Sequence, residues 1–248
     1  MLPVDHVGIL GRDINTMVNA YRELGFCVTE PVRLNAGTGV EHGEQFSAHV
    51  MLNKTYIELT AVENCQPEHH LAPYIGLPCG VRILILRCDE AESEQKRLAS
   101  KGLPVTPIYE AERQLGDAQQ ELARFRWFSL APQPLGQLLI GWVQHLTKTA
   151  VFQDTEKHPN SATDMAGLQF CSCTLPEDLM ETSGISCFVT EQPSDLQLIH
   201  SVELWVDDLE ACRDETGGVF DYATGAVRVE SAAALGVNLI FRNPQSDG

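Results

Sequence analysis

A pattern of one strand, one helix and three further strands occurs twice in the N-terminal part of the chain, and this repeat limits the folds open to it. In the first copy, "VDHVGIL" (Val4 to Leu10) reads as a strand and Asp13 as a helix N-cap. Ile14, Met17, Val18, Tyr21 and Leu24 then recur at helical spacing until Gly25. "FCVTEPVRL", "FSAHVML" and "TYIELTAV" supply three strands, the last two joined at Asn53-Lys54. The second copy runs through "GVRILILRC", a cap at Asp89 and the helix "EAESEQKRLASKG". Its strands are "PVTPIYE", "ELARFRWFSL" and "GQLLIGWV". Aligning Asp13 with Asp89 sets Arg82 opposite His6, and a position near Ile140 opposite Glu58.

The reading is an α+β chain of paired βαβββ modules over residues 1–146, followed by a polar connector over 147–164. Residues 165–248 read as an incomplete C-terminal unit packed on the first. It holds a remnant around 165–192 and a last block that opens with "LQLIHSVELWV". His200 precedes Asp207 by the interval that separates His6 from Asp13.

Charge narrows the partners. The chain has 34 acidic and 17 basic residues, a net charge of −17, and no Lys/Arg run. The nearest basic feature, "RFRW" at Arg124 to Trp127, alternates on a strand. Nucleic acid and anionic membranes are therefore not expected partners. No signal peptide and no apolar run long enough to span a bilayer are read, so a cytoplasmic location is expected. The eight cysteines form no CxxC pair and read as reduced thiols. Cys171 and Cys173 share a strand face, which suggests packing rather than ligation. No nucleophile elbow, phosphate loop or dinucleotide fingerprint is present.

Two polar side chains interrupt apolar strands. His6 shares a strand face with Val4, Gly8 and Leu10, and Glu58 shares one with Tyr56 and Thr60. A buried carboxylate needs a cation, a donor or its own proton. Imidazole with carboxylate suits Fe, Mn, Ni, Co or Zn. A structural His–Glu hydrogen bond between strands satisfies the same residues.

"DHVGI" on the first strand, a helix ending in "YRELGF", "YIEL" on the fourth strand and the connector "HPNSATDMAGL" together resemble the vicinal oxygen chelate superfamily, and within it the glyoxalase-like domain proteins. The resemblance implies a U-shaped mixed sheet cupping a divalent metal. His6 would come from the first strand and Glu58 from the fourth, with open metal positions for two neighbouring oxygens of a substrate. A homodimer is a further expectation.

The pattern breaks in the second module, because a guanidinium is no metal ligand. Arg82 in the cleft would favour an anion instead. His200 is the candidate third ligand; with His6 and Glu58 it would complete a two-His-one-carboxylate set. Glu58 is also the candidate catalytic group. Gln45 and Ser47 at the start of the third strand could hydrogen-bond a ligand, and Trp142 or Trp127 could wall the pocket or pack in the core. His49 is ranked lower because its parity across the turn is open. His42, His69, His70, His145 and His158 read as loop or connector residues. Two functions compete, beside a structural or interaction role that needs only the acidic surface. One is a metal-dependent lyase, isomerase or dioxygenase acting on a small molecule with vicinal oxygens. The other is a non-catalytic protein that binds a small acidic ligand at a degenerate metal site.

Overall fold

The computed structural model describes residues 3–37, 42–115, 121–131, 137–147, 151–152, 156–171, 186–190 and 198–244. The first module comprises β1 (Val4–Gly11), α1 (Ile14–Glu23), β2 (Val32–Arg33), β3 (Glu44–Met51) and β4 (Tyr56–Glu63). After a short 3-10 turn (Ala72–Tyr74), the second comprises β5 (Gly80–Arg87), α2 (Ala91–Ser100), β6 (Tyr109–Leu115), β7 (Glu121–Ser129) and β8 (Leu139–His145). They share one eight-stranded sheet in the order β2-β3-β4-β1-β5-β8-β7-β6. The first strands β1 and β5 meet antiparallel at its centre, and each is parallel to the last strand of its own module. The paired βαβββ architecture expected from the repeat is the one observed.

The sheet curls until its outer strands meet. Glu112 N donates to Asn35 O, and Trp127 Nε1 donates across the same seam to Ala36 O at 2.8 Å. Gly37 makes the approach possible. Its φ is +71°, and a Cβ there would lie 1.7 Å from Glu110 O. The interior of the curl is the cleft.

The second sheet follows the order β10-β9-β11-β14-β13-β12. β11 (Ile199–Val206), α3 (Leu209–Thr216), β12 (Val219–Asp221), β13 (Ala226–Val229) and β14 (Asn238–Arg242) form a third complete module. β9 (Ala162–Cys171) and β10 (Ser186–Thr190) stand to it as β5 and β8 stand to the first. Of the cysteine pair, Cys171 is buried, and Cys173 lies outside the described residues. No helix among the described residues is long and apolar enough to cross a membrane.

Alternation sorts the strands into two cores. Leu84, Leu86, Ile140 and Trp142 join α1 and the second sheet in the larger core. Ile83, Ile85, Leu139 and Val143 face the cleft. The helix caps explain why this differs from the sequence alignment. Asp13 caps α1, but the N-cap position of α2 is held by Glu90 rather than Asp89, and that of α3 by Asp208 rather than Asp207. Each later module is therefore offset by one residue, and a one-residue slip exchanges the two faces of a strand.

The connector docks through a histidine, His158, that is buried rather than solvated. Cys27 N donates to His158 Nδ1 at 3.0 Å, and His158 Nε2 donates to Met51 O at 2.9 Å. Asn160 Nδ2 adds a bond to Leu24 O at 2.8 Å. Replacing His158→Ala leaves two backbone groups without their partner and is expected to cost about 3 kcal/mol in urea unfolding. A loss below about 0.5 kcal/mol would contradict this docking role.

Candidate functional site

The cleft is built around a bulge. Opposite β5, the register of β1 shifts between Val4 and His6, so Asp5 is an extra residue and its carboxylate reaches the His6 ring. Asp5 is fully buried. Its Oδ1 accepts from His6 Nδ1 at 2.8 Å, and its Oδ2 accepts from His145 Nε2 and Arg87 Nε, both at 2.8 Å. Burial pushes the Asp5 carboxyl up, but the His145 and His6 hydrogen bonds outweigh it and hold the group well below the usual carboxylate range.

His6 and Glu58 do come together. His6 Nε2 lies 3.4 Å from Glu58 Oε2, and the His6 ring stacks on Tyr56 at 4.3 Å. Burial lowers the His6 pKa and the bonds to Asp5 and Glu58 raise it, with a net upward shift. Burial raises the Glu58 carboxyl, and the hydrogen bond and charge of His6 with a hydrogen bond from Ser47 drive it far below its ordinary value. His6 thus lies between two carboxylates that favour its protonated form. Ser47 is engaged inside this cluster. Its hydroxyl donates to Glu58 Oε1 at 2.6 Å, and Thr60 Oγ1 donates to the same oxygen at 2.9 Å.

The other expected site residues divide. Gln45 lines the cleft, and its Oε1 has no hydrogen-bond partner. Arg82 does not line it. This residue bulges from β5 opposite the Gly8–Ile9 step, and its guanidinium donates to Pro78 O at 2.9 Å. Trp142 packs in the larger core, stacked on Phe128 at 5.3 Å, and Trp127 takes the wall position. His200 is not brought to His6 and Glu58. It lies on β11 of the second sheet, hydrogen-bonded to Ser201 at 2.7 Å, in a separate hollow with Gln169, Arg228 and Asn238. With Asp208 as the cap, Ser201 is the residue that corresponds to His6.

Sequence reasoning missed five polar side chains here: Asp5, His49, His70, Arg113 and His145. His49 pairs directly with Glu58 across the β3–β4 hairpin, so counting back through the turn would have placed it. Arg113 follows Ala111 on the inner face of β6, while Glu110 and Glu112 take the outer one. His145 continues the inward series Leu139, Gly141 and Val143 on β8. Burial, then the Arg113 charge, holds His49 well below its ordinary pKa and hence neutral.

A transition metal does not fit this donor set. With Glu90 as the cap, the residues facing His6 and Glu58 from the second module are Ile83 and Gly141. A Cβ on Gly141 would meet Ile85 Cδ1 at 2.9 Å and Phe128 O at 3.0 Å, so a larger side chain there has no room without a shift. Among the described residues, no three His, Cys, Asp or Glu side chains are arranged to hold a metal ion. Two ligands remain where protein sites of this kind supply at least three.

His70 stacks on His69 at 4.5 Å, and its Nδ1 has no partner. Burial and the neighbouring His69 push its pKa down to about 3. Because the folded value is depressed, its contribution to stability is complete above the unfolded value near 6.5 and is lost as pH falls. From pH 6.5 to 5, His70→Gln is therefore expected to lose about 2 kcal/mol less stability than the wild type in urea titrations. Equal losses would contradict a buried neutral ring.

Residues 4–178 match the sequence family described as Glyoxalase-like domain. No functionally curated protein matches the sequence. Among solved structures, a hypothetical protein from Staphylococcus aureus aligns with a TM-score of 0.70 and 11% identity, covering 98% of this chain and 100% of that one. A triple mutant of 4-hydroxymandelate synthase from Streptomyces coelicolor aligns with a TM-score of 0.59 and 13% identity, covering 100% and 95%. A xylose isomerase-like TIM barrel/4-hydroxyphenylpyruvate dioxygenase fusion protein aligns with a TM-score of 0.50 and 12% identity, covering 99% and 50%. At these identities the likeness is one of fold. The family match spans well over half of the sequence, and the chain belongs to the glyoxalase-like domain family.

Proposed function

We propose that the chain binds a small organic acid in this cleft, at a site that has replaced a metal with a guanidinium. Arg113 carries the reading. It is 7% exposed, lies over the Tyr56 ring at 5.4 Å, and has no ion pair or hydrogen bond among the described residues. Burying a cation without an anion is costly, so the site calls for one from the ligand. The other charges in the cleft are already matched: Asp5 and Glu58 by His6 and Arg87, which leaves Arg113 as the surplus cation.

Shape supports the same reading. The cavity measures about 80 Å³, which limits the ligand to a compact molecule. Its walls are Ile83, Ile85, Leu139, Phe125 and Trp127, and its polar groups are few and convergent. The sequence reading gave the anion-binding role to Arg82; Arg113 supplies that chemistry from the facing strand β6. A metal-dependent lyase, isomerase or dioxygenase would need ligands at the positions that Ile83 and Gly141 occupy.

Calorimetry with benzoate, phenylacetate and phenylpropanoate tests the proposal against their neutral amides. The acids are expected to bind at least about 10-fold more tightly than the amides, and Arg113→Met to remove that preference. Equal binding of acids and amides would refute it. Added Fe(II), Mn, Ni, Co or Zn is expected to leave the melting temperature unchanged. Stoichiometric metal that both His6→Ala and Glu58→Ala release would also refute it.

A further inference from the structure

His145 is arranged as no other histidine in the described cleft is. Asp5 Oδ2 lies 2.8 Å from its Nε2, and a carboxylate can only accept, so the ring carries its proton on Nε2. In the neutral ring, Nδ1 then holds the lone pair. That atom is buried and has no hydrogen-bond partner, and the ring lines the cleft. Its position is fixed from other sides as well. Phe152 meets the ring edge-on at 5.9 Å, and Phe152 is itself capped by the Arg87 guanidinium at 4.7 Å. Arg87 in turn bonds the same Asp5 oxygen, so carboxylate, imidazole and guanidinium form one closed set.

Buried polar atoms without partners are rare in folded proteins. Gln45 Oε1, His70 Nδ1 and His145 Nδ1 all belong to the wall of this one cavity. Their convergence describes a ligand that completes them.

We propose that His145 is a general base, which takes a proton from a molecule bound in the cleft, with Asp5 as its positioning residue. In this step a C–H or O–H bond of the ligand breaks and its proton bonds to Nδ1. The electron pair stays on the ligand as an enolate or oxyanion. The imidazolium keeps its Nε2–H bond to Asp5 and later returns the proton to the ligand or to water. The step requires no oxidant and no metal. The other candidates are committed elsewhere: His6 has Asp5 on one nitrogen and Glu58 facing the other, and Glu58 is held by Ser47 and Thr60. His70 has an open nitrogen but no carboxylate behind it. This inference uses the cleft of the proposed function but not Arg113.

Nitrobenzisoxazole tests it with a neutral, planar probe, so failure here is distinct from failure of organic-acid binding. A base removes the probe's ring C–H proton, the electron pair becomes part of a nitrile, and the N–O bond breaks to release a coloured phenolate. The full-length protein is expected to open the ring at least about 10-fold faster than free imidazole at equal concentration, and His145→Gln to abolish the excess. No excess over imidazole, or an undiminished rate in His145→Gln, would overturn the proposal. If His145→Gln does not fold, nitrogen-15 NMR of the wild type decides. The ring must show a protonated Nε2 and a bare Nδ1, and a proton on Nδ1 would overturn the assignment.

Discussion

The buried carboxylate of Asp5 holds the centre of the first sheet together. Its two oxygens take hydrogen bonds from His6 beside it on β1, from Arg87 on β5 and from His145 on β8. A carboxylate this deep is tolerable only because donors surround it, and removing one partner from such a buried network costs about 3–5 kcal/mol. The bulge that admits Asp5 sets the aim of His6, and through His6 the state of Glu58. The polar floor of the cleft is one linked structure. An ion that entered between His6 and Glu58 would have to part Nε2 and Oε2, now 3.4 Å from each other.

The same bulge recurs in the third module, which shows how the later copies diverged. Register shifts between Ile199 and Ser201 opposite β9, so His200 occupies the place of Asp5 and Ser201 that of His6. His200 bonds its neighbour Ser201 as Asp5 bonds His6. At the place of Glu58 stands Ile240, since Glu203 pairs with Ile240 as Gly8 pairs with Glu58. Each module thus keeps the backbone device and changes the chemistry mounted on it.

Much of the fold was legible because strand alternation and helix spacing are local signals. Asp13 followed by Ile14, Met17, Val18 and Tyr21 reads correctly as a cap and a buried helix face. What failed was the choice between two adjacent acids. Asp89-Glu90 and Asp207-Asp208 each offer two acids, and, with a capping side-chain bond only from Asp208, the second stands at the N-cap position in both cases. That single residue moved Arg82, Ile140 and His200 onto positions held by Ile83, Gly141 and Ser201. His6 with Glu58 was legible because both lie in the module whose cap was unambiguous. Arg113 and His145 were not, since their meaning depends on the curl that brings β6 to β2 and on a bulge no local pattern announces.

In the proposed site a ligand's anion, rather than a metal, completes the cleft. A crystal structure of the protein grown with phenylacetate and a divalent cation such as Mn(II) tests it most directly. The carboxylate is expected within hydrogen-bond distance of the Arg113 guanidinium, the ring against Trp127 and Phe125, and His6 still between Asp5 and Glu58. A cation bound between His6 Nε2 and Glu58 Oε2, with the carboxylate chelating it and Arg113 left aside, would contradict it.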